Sequence, residues 1–164
     1  MILLLQYTLI FASVLILVAL GGFAEHSGVI NLGLEGIMIM GALGGALTMR
    51  YVPNTAPAIV MLLAVIVVSA LVGMVYSCLL AVASINFKAD QTLVGTALNL
   101  LGTAGATVIV KAINTAANPD DVSSIVQYGG AKSALLVSIG SFEFNWFMLV
   151  AFIALVFAYV TLYK

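Results

Sequence analysis

Charged residues are scarce in this 164-residue chain: five are basic, six are acidic, and together they make up 7% of the sequence. Soluble domains carry about a quarter charged residues, so these few cannot cover a surface that faces water. Hydrophobic residues account for 64% of the chain, and its mean hydropathy is +1.27. Lipid suits such a surface, provided that the backbone satisfies its own hydrogen bonds. Because the apolar runs are continuous and not alternating, they predict an all-α polytopic transmembrane protein and argue against a barrel.

Cysteine and histidine occur once each, as Cys78 and His26. One thiol cannot form an internal disulfide, and the apolar surroundings of Cys78 indicate a small packing residue. One histidine without a second ligand at a suitable spacing predicts no metal site. The sequence shows no phosphate-binding loop and no nucleophile beside a base, and a net charge of −1 does not favour nucleic acid. We therefore expect this chain to be neither an enzyme nor the holder of a cofactor.

The first apolar run has no lysine or arginine before it and exceeds the roughly 7–15 residues of a signal-peptide core, so it predicts a retained helix. A spanning helix needs about 20 apolar residues. Charges and turn signals divide the chain into one transmembrane domain with spans at about 1–24, 29–49, 57–87, 91–110 and 144–163. The polar segment 111–143 is predicted to lie outside the hydrocarbon. Three basic residues on one side against two on the other do not orient the spans.

A polar patch interrupts the glycine-rich segment near residues 21–45, and it consists of Glu25, His26, Ser27, Asn31 and Glu35. Irregular backbone at membrane depth occurs where it lines a cavity, and transporters bind polar solutes with such discontinuous helices. The alternative is an interfacial loop followed by a helix, with Asn31 as the N-cap and Glu35 as a first-turn acid. On the first interpretation, Asn31 and Glu35 share a helix face and border the solute path.

A second polar group follows the spacing i, i+4, i+7 and i+11 on the fourth predicted helix and consists of Thr92, Thr96, Asn99 and Thr103. These residues share one face, which predicts either interhelical hydrogen bonds or the lining of a solute path. Elsewhere, Gly41 and Gly45 form a small-xxx-small pair that predicts close helix packing.

Two blocks carry a family resemblance: GGFAEHSGVINLGLEGIMIMG at 21–41 and ADQTLVGTALNLL at 89–101. In this order they resemble the permease subunits of ABC importers for nucleosides and simple sugars. The sugar permeases carry Gly-Ile-Asp-Leu-Ser where this chain has Val-Ile-Asn-Leu-Gly at 29–33, and Asn31 with the following Leu-Glu-Gly is more similar to the nucleoside branch. Branched-chain amino acid permeases have a related Asn-Phe-Ala-His-Gly element, which is a poorer match.

The chain departs from this family at two points. His26 stands where the nucleoside branch usually has arginine or lysine, which weakens a cytoplasmic charge anchor. Such permeases are also roughly twice this length, and their ATPase-docking loop is expected after Lys164. The chain therefore resembles the amino-terminal half of a permease.

The resemblance implies a multi-pass protein of the cytoplasmic (inner) membrane with three kinds of protein partner. A second permease subunit completes the path, cytoplasmic ABC ATPase subunits bind the ATP, and an extracytoplasmic solute-binding protein delivers the solute. It also implies that residues 25–28, residues 86–90 and Lys164 face the cytoplasm, with the amino terminus and 111–143 outside.

These features favour transport of nucleosides, and simple sugars are the second choice of substrate. Branched-chain amino acids are the alternative substrate. A membrane scaffold or assembly subunit without its own solute path is a different class of function, and a small oligomeric channel or carrier is another. A polar stripe on the fourth helix argues against the scaffold, and flux without nucleotide would distinguish the channel.

Overall fold

The computed structural model describes residues 2–21, 32–53, 55–126, 136–139 and 142–163. The chain forms two compact units: one contains Met1–Val29 and Lys132–Lys164, and the other contains Ile30–Ala131.

Five helices dominate the described residues, which confirms the predicted all-α class. They are α1 (Ile2–Gly21), α2 (Leu34–Tyr51), α3 (Ala58–Ala81), α4 (Gln91–Ala117) and α5 (Trp146–Tyr163). A π-helical turn, Val82–Asn86, extends α3. Two short antiparallel strands, β1 (Leu136–Ile139) and β2 (Phe142–Asn145), precede α5, and the sequence pattern did not predict them.

The helix ends follow local signals. Pro57 occupies the position before α3, where its missing N–H costs nothing, and its carbonyl accepts from the N–H of Met61 at 3.0 Å. Asp90 caps α4, because its Oδ1 accepts from the N–H groups of Thr92 at 2.8 Å and Leu93 at 3.3 Å. α4 continues through Lys111 to Ala117, past the predicted span limit at 110. One lysine does not end a helix whose backbone bonds continue.

Two helical stretches of the described chain are long and apolar enough to cross a membrane: Ala58–Asn86 and Gln91–Ala117. α1 and α5 contain shorter apolar stretches, Tyr7–Ile16 and Met148–Val160. The limits of the five spans and their assignment to a single domain stay predictions. The interruption predicted near 21–45 falls largely on residues 22–31, which lie outside the described residues.

In the unit Ile30–Ala131, α2 packs against both α3 and α4. α2 runs parallel to α4, since the start of α2 meets Asn99 and its end meets Asn114. α3 runs the opposite way, since Gly41 of α2 faces Ser69 and Ile37 of α2 faces Gly73.

The small buried core of this unit includes Met61, Val65, Tyr76 and Leu98. Many large apolar side chains of α3 are exposed instead, as a surface that faces lipid or other helices requires.

In the other unit, α1 packs against α5. The buried residues described in this unit are Ser13 of α1 and Met148, Ala151 and Ala158 of α5. The Ser13 hydroxyl donates to the carbonyl of Ile10 in its own helix at 2.7 Å, so its burial leaves the hydroxyl donor satisfied. Leu136 pairs with Asn145 and Ile139 with Phe142 in the two-stranded sheet.

Candidate functional site

Glycine residues line the contact between α2 and α4, which we call the α2–α4 seam. A Cβ built on Gly36 would lie 2.7 Å from the carbonyl oxygen of Leu98, and one on Gly102 would lie 2.9 Å from the Cα of Gly36. Gly95 faces the backbone N of Gly33, where an added Cβ would lie 2.9 Å away. The two backbones are therefore in direct contact over more than one turn, and any side chain at these positions would separate them.

Asn99 bonds the start of α2 from α4. Its Oδ1 accepts from the Gly36 N–H at 2.7 Å, and its Nδ2 donates to the carbonyl of Leu32 at 2.7 Å. Gly33 is the N-cap of α2 and has no side chain to cap the first turn. Asn99 thus supplies from a neighbouring helix the acceptor that a Ser or Asp normally supplies locally. Leaving a buried N–H such as that of Gly36 unsatisfied costs about 1–3 kcal/mol.

The threonines of the predicted polar stripe lie beside this seam. Thr92, Thr96 and Thr103 are exposed, whereas Asn99 between them is half-buried. The Thr96 hydroxyl donates to the carbonyl of Thr92 at 2.7 Å, and the Thr103 hydroxyl donates to that of Asn99 at 2.9 Å. Each of these two hydroxyl oxygens keeps lone pairs that can accept a bond from outside the helix.

The other predicted path residues divide between the described and undescribed parts of the chain. Asn31 lies outside the described residues. Glu35 is exposed and lies in the first turn of α2, where a negative charge is favourable because of the helix dipole. That position agrees with the prediction of a first-turn acid and leaves the carboxylate accessible. The N-cap of α2 is Gly33, so the assignment of Asn31 as the N-cap is wrong.

The glycines predicted to pack helices lie against α3. A Cβ on Gly41 would lie 3.2 Å from the carbonyl oxygen of Ser69, and a Cβ on Gly45 would lie 2.5 Å from the Ser69 hydroxyl oxygen. A Cβ on Gly44 would lie 2.8 Å from the Cγ2 atom of Val72. α2 therefore presents glycine to both of its neighbours in this unit.

A groove of about 600 Å³ follows the α2–α3 contact, lined in part by Gly41, Ser69, Gly73 and Ser77. Glu35, Asn99 and the threonine stripe are not among its lining residues.

Sequence reasoning missed the bond between α3 and α4. The buried Tyr76 hydroxyl donates to the Leu98 carbonyl at 2.6 Å, beside the point where Gly36 approaches the same carbonyl. A lone tyrosine in an apolar run is consistent with a buried phenol in need of a partner. The sequence does not identify that partner.

A second polar cluster at the end of α2 was also missed. Arg50 donates from Nη1 to Oδ1 of Asn114 at 2.6 Å. Asn114 is 2% exposed, and its Nδ2 donates to the carbonyls of Ser123 at 3.1 Å and Ile125 at 2.9 Å. The amide thereby joins α2, α4 and the segment after α4. Arg50 is the one arginine of the chain, which is the signal that could have drawn attention to it.

Asp121 lies beside this cluster. Hydrogen bonds from the Ser123 side chain and N–H lower the pKa of the Asp121 carboxyl, and the positive charge of Arg50 lowers it further. Within the described ranges, no three His, Cys, Asp or Glu side chains are grouped as a metal site would require.

Comparison with known proteins identifies one family over nearly the whole chain. A family model described as "Branched-chain amino acid transport system / permease component" matches residues 4–164. The guanosine ABC transporter permease protein NupQ of Bacillus subtilis is 41% identical over 116 residues, which cover 70% of this chain and 36% of that protein. No solved structure matches the chain.

Two further relatives extend the range of named solutes. The nucleoside ABC transporter permease protein NupC of Lactococcus lactis is 37% identical over 97 residues, covering 58% of this chain and 30% of that protein. The putative glucose ABC transporter permease protein TsgC13 of Haloferax volcanii is 37% identical over 105 residues, covering 61% and 29%. The matched stretches span only about a third of these relatives.

Proposed function

The chain belongs to the family of permease components of branched-chain amino acid type transport systems, and we propose that it forms part of the transmembrane subunit of an ATP-driven importer. The family and the apolar helices make it an integral membrane protein. Nucleosides are the proposed solute, with simple sugars next. The observation that carries this choice is the 41% identity to a guanosine permease.

The proposed subunit works with three kinds of partner protein. Cytoplasmic ABC ATPase subunits bind and hydrolyse the ATP, a second permease subunit completes the path, and an extracytoplasmic binding protein delivers the solute. We place the complex in the cytoplasmic (inner) membrane, with this subunit crossing it several times. The names of the relatives as ABC transporter permeases support these assignments.

The solute path is proposed to follow the exposed hydroxyls of α4, namely Thr92, Thr96 and Thr103. Each of these residues lies on the surface of the Ile30–Ala131 unit beside the α2–α4 seam. A nucleoside or sugar carries several hydroxyl donors, and threonine oxygens with spare lone pairs can accept from them. Glu35 is exposed at the start of α2 and, with Asn31, is proposed to form the polar end of this path.

Uptake of labelled guanosine tests the proposal. The full-length protein that contains this segment is assembled with its binding protein, partner permease and ATPase subunits in proteoliposomes. We expect uptake that requires ATP and that excess unlabelled nucleosides suppress. Suppression by leucine alone would assign a branched-chain amino acid importer instead. Uptake that persists after the ATPase loses its phosphate-binding lysine would contradict an ATP-driven importer and favour a channel.

Valine substitutions test the path. Thr96→Val and Thr103→Val keep the shape and remove the hydroxyl, so we expect each to raise the KM for uptake several-fold. Thr48→Val is the matched control, because the Thr48 hydroxyl makes the same bond to the carbonyl four residues back, at 2.8 Å, but lies on α2. Asn31→Leu and Glu35→Gln should also cut uptake while subunit assembly persists. Wild-type uptake by all four path variants would remove these residues from the path.

A further inference from the structure

The side chain of Asn99 turns its amide toward α2, although its neighbours in the polar stripe are exposed. Oxygen and nitrogen each make a bond of 2.7 Å, to the Gly36 N–H and the Leu32 carbonyl respectively. We propose that Asn99 is a positioning residue that sets the axial register of α2 on α4, and that it does not bind the solute. The consequence of this register for the solute path rests on the proposed function, whereas the role of Asn99 in setting the register does not.

The need for such a residue follows from the seam. Gly36, Gly95 and Gly102 let the two backbones touch, so there are no interlocking side chains at these points to define how far one helix slides along the other. Hydrogen bonds are directional and short-ranged. A side chain that accepts from Gly36 and donates to Leu32 satisfies both bonds at only one axial position of α2.

The first turn of α2 also lacks a local substitute. Gly33 provides no capping side chain, and the Gly36 N–H precedes the first N–H that bonds within the helix, the Ile37 N–H to the Gly33 carbonyl at 3.1 Å. In contrast, α4 has its own cap in Asp90. The start of α2 therefore depends on α4, whereas the start of α4 depends on itself.

The proposed path would depend on this register. Thr96 and Thr103 lie three residues before and four residues after Asn99, on the exposed flank of the same helix face. A shift of α2 would change which groups of α2, Glu35 among them, stand opposite these hydroxyls.

Amide hydrogen exchange of the full-length protein in lipid nanodiscs tests the inference without any transport assay. Asn99→Leu should accelerate exchange at the Gly36 amide by about tenfold or more, because its acceptor is lost. Amides in the middle of α3, such as that of Val67, should not change. Asn99→Asp keeps the acceptor for Gly36 but, when ionised, cannot donate to the Leu32 carbonyl. Its Gly36 exchange should therefore be slower than that of Asn99→Leu. Thr96→Val is the matched control on the adjacent turn and should leave Gly36 unchanged.

Unchanged Gly36 exchange in Asn99→Leu would overturn the inference. Uptake adds an independent readout. Asn99→Leu should lower the maximal uptake rate and leave the solute KM within about twofold. A raised KM with normal exchange would instead make Asn99 a solute ligand. If the wild-type protein takes up no nucleoside, the proposed function fails, while the exchange result still decides the role of Asn99.

Discussion

The two ends of the α2–α4 seam are held by the same kind of residue in different chemical settings. Asn99 bonds only backbone groups at the start of α2, among glycines. Asn114 bonds the Arg50 guanidinium at the end of α2 and the backbone of the segment after α4. The two asparagines are about 22 Å apart along the helix at 1.5 Å per residue. α4 therefore bonds α2 through neutral groups at one end and through a charged group at the other.

The difference reflects what a membrane tolerates. A neutral amide with both of its polar groups bonded can be buried among apolar helices at little cost. A guanidinium costs far more in hydrocarbon and is found near water or beside polar partners. Arg50 has those partners, because it donates to Asn114 and its charge interacts with the Asp121 carboxylate of the segment after α4. The Arg50 end of the seam therefore has the polar surroundings that a guanidinium needs.

Cysteine labelling is the strongest test of the difference between the two ends, because it shows which side of the membrane each end faces. If α4 crosses the membrane, its two ends face opposite sides, and the resemblance places the Asp120 end outside. In the full-length protein with Cys78→Ala, a membrane-impermeant maleimide applied to intact cells should label Asp120→Cys and not Lys88→Cys. Equal labelling of both positions would contradict the topology and remove the distinction between an inner and an outer end.

Asn114→Leu should cause the largest loss of stability. It leaves the half-buried Arg50 and the Ser123 and Ile125 carbonyls without this amide, so we expect unfolding to become easier by about 2–4 kcal/mol. Thermal unfolding in detergent measures the change. Replacing the exposed Lys111 by alanine, one turn earlier, is the control and should change stability little. A loss no larger than that of the control would mean that the charged end contributes nothing to the seam.

Alanine substitution at two glycines of α4 tests whether backbone contact stabilises the neutral end of the seam. Gly102→Ala places a methyl group 2.9 Å from the Cα of Gly36, which should cost about 1–3 kcal/mol. Gly105→Ala is the matched change three residues on, where nothing lies within 4 Å, and it should stabilise α4 by up to about 1 kcal/mol. Thermal unfolding of the two variants should thus shift in opposite directions. A shift of the same sign in both would show that backbone contact does not hold the seam.

The smallest expected effect concerns the capping of α4. Hydrogen bonds from the Leu93 and Thr92 N–H groups lower the pKa of Asp90. Because the folded pKa lies below the unfolded value of about 3.9, this stabilisation is complete above the unfolded value and is lost as the pH falls through the folded value.

Asp90→Asn should therefore flatten the decline of the melting temperature at acidic pH. The difference between variant and wild type isolates this group, because Asp121 titrates in both proteins. An unchanged pH profile would contradict a role for the Asp90 charge.

Much of the architecture follows from local sequence. The scarcity of charge predicts a membrane protein, and the continuous apolar runs favour helices over a barrel as the structure that satisfies the backbone in lipid. Pro57 and Asp90 mark helix starts through their own backbone and side-chain chemistry. The regular spacing of the polar stripe correctly predicts that Asn99 and its threonine neighbours share a face of α4, since helix geometry repeats every 3.6 residues.

The sequence could not distinguish the members of that stripe. Asn99 differs from Thr96 because α2 happens to pass it, and its partners Gly36 and Leu32 are 63 and 67 residues away in the chain. Nor does hydropathy reveal that Asn114 would meet Arg50 across 64 residues. Periodicity reports which side chains share a face. It says nothing about which helix covers that face.

The sequence by itself determined that the chain is a membrane-embedded helical permease component, because composition and two short blocks carry that information locally. Only the tertiary structure decided which polar side chains are bonded to another helix and which remain exposed. That division depends on directional bonds between helices distant in sequence, and each such bond exists only after packing has brought donor and acceptor within about 3 Å.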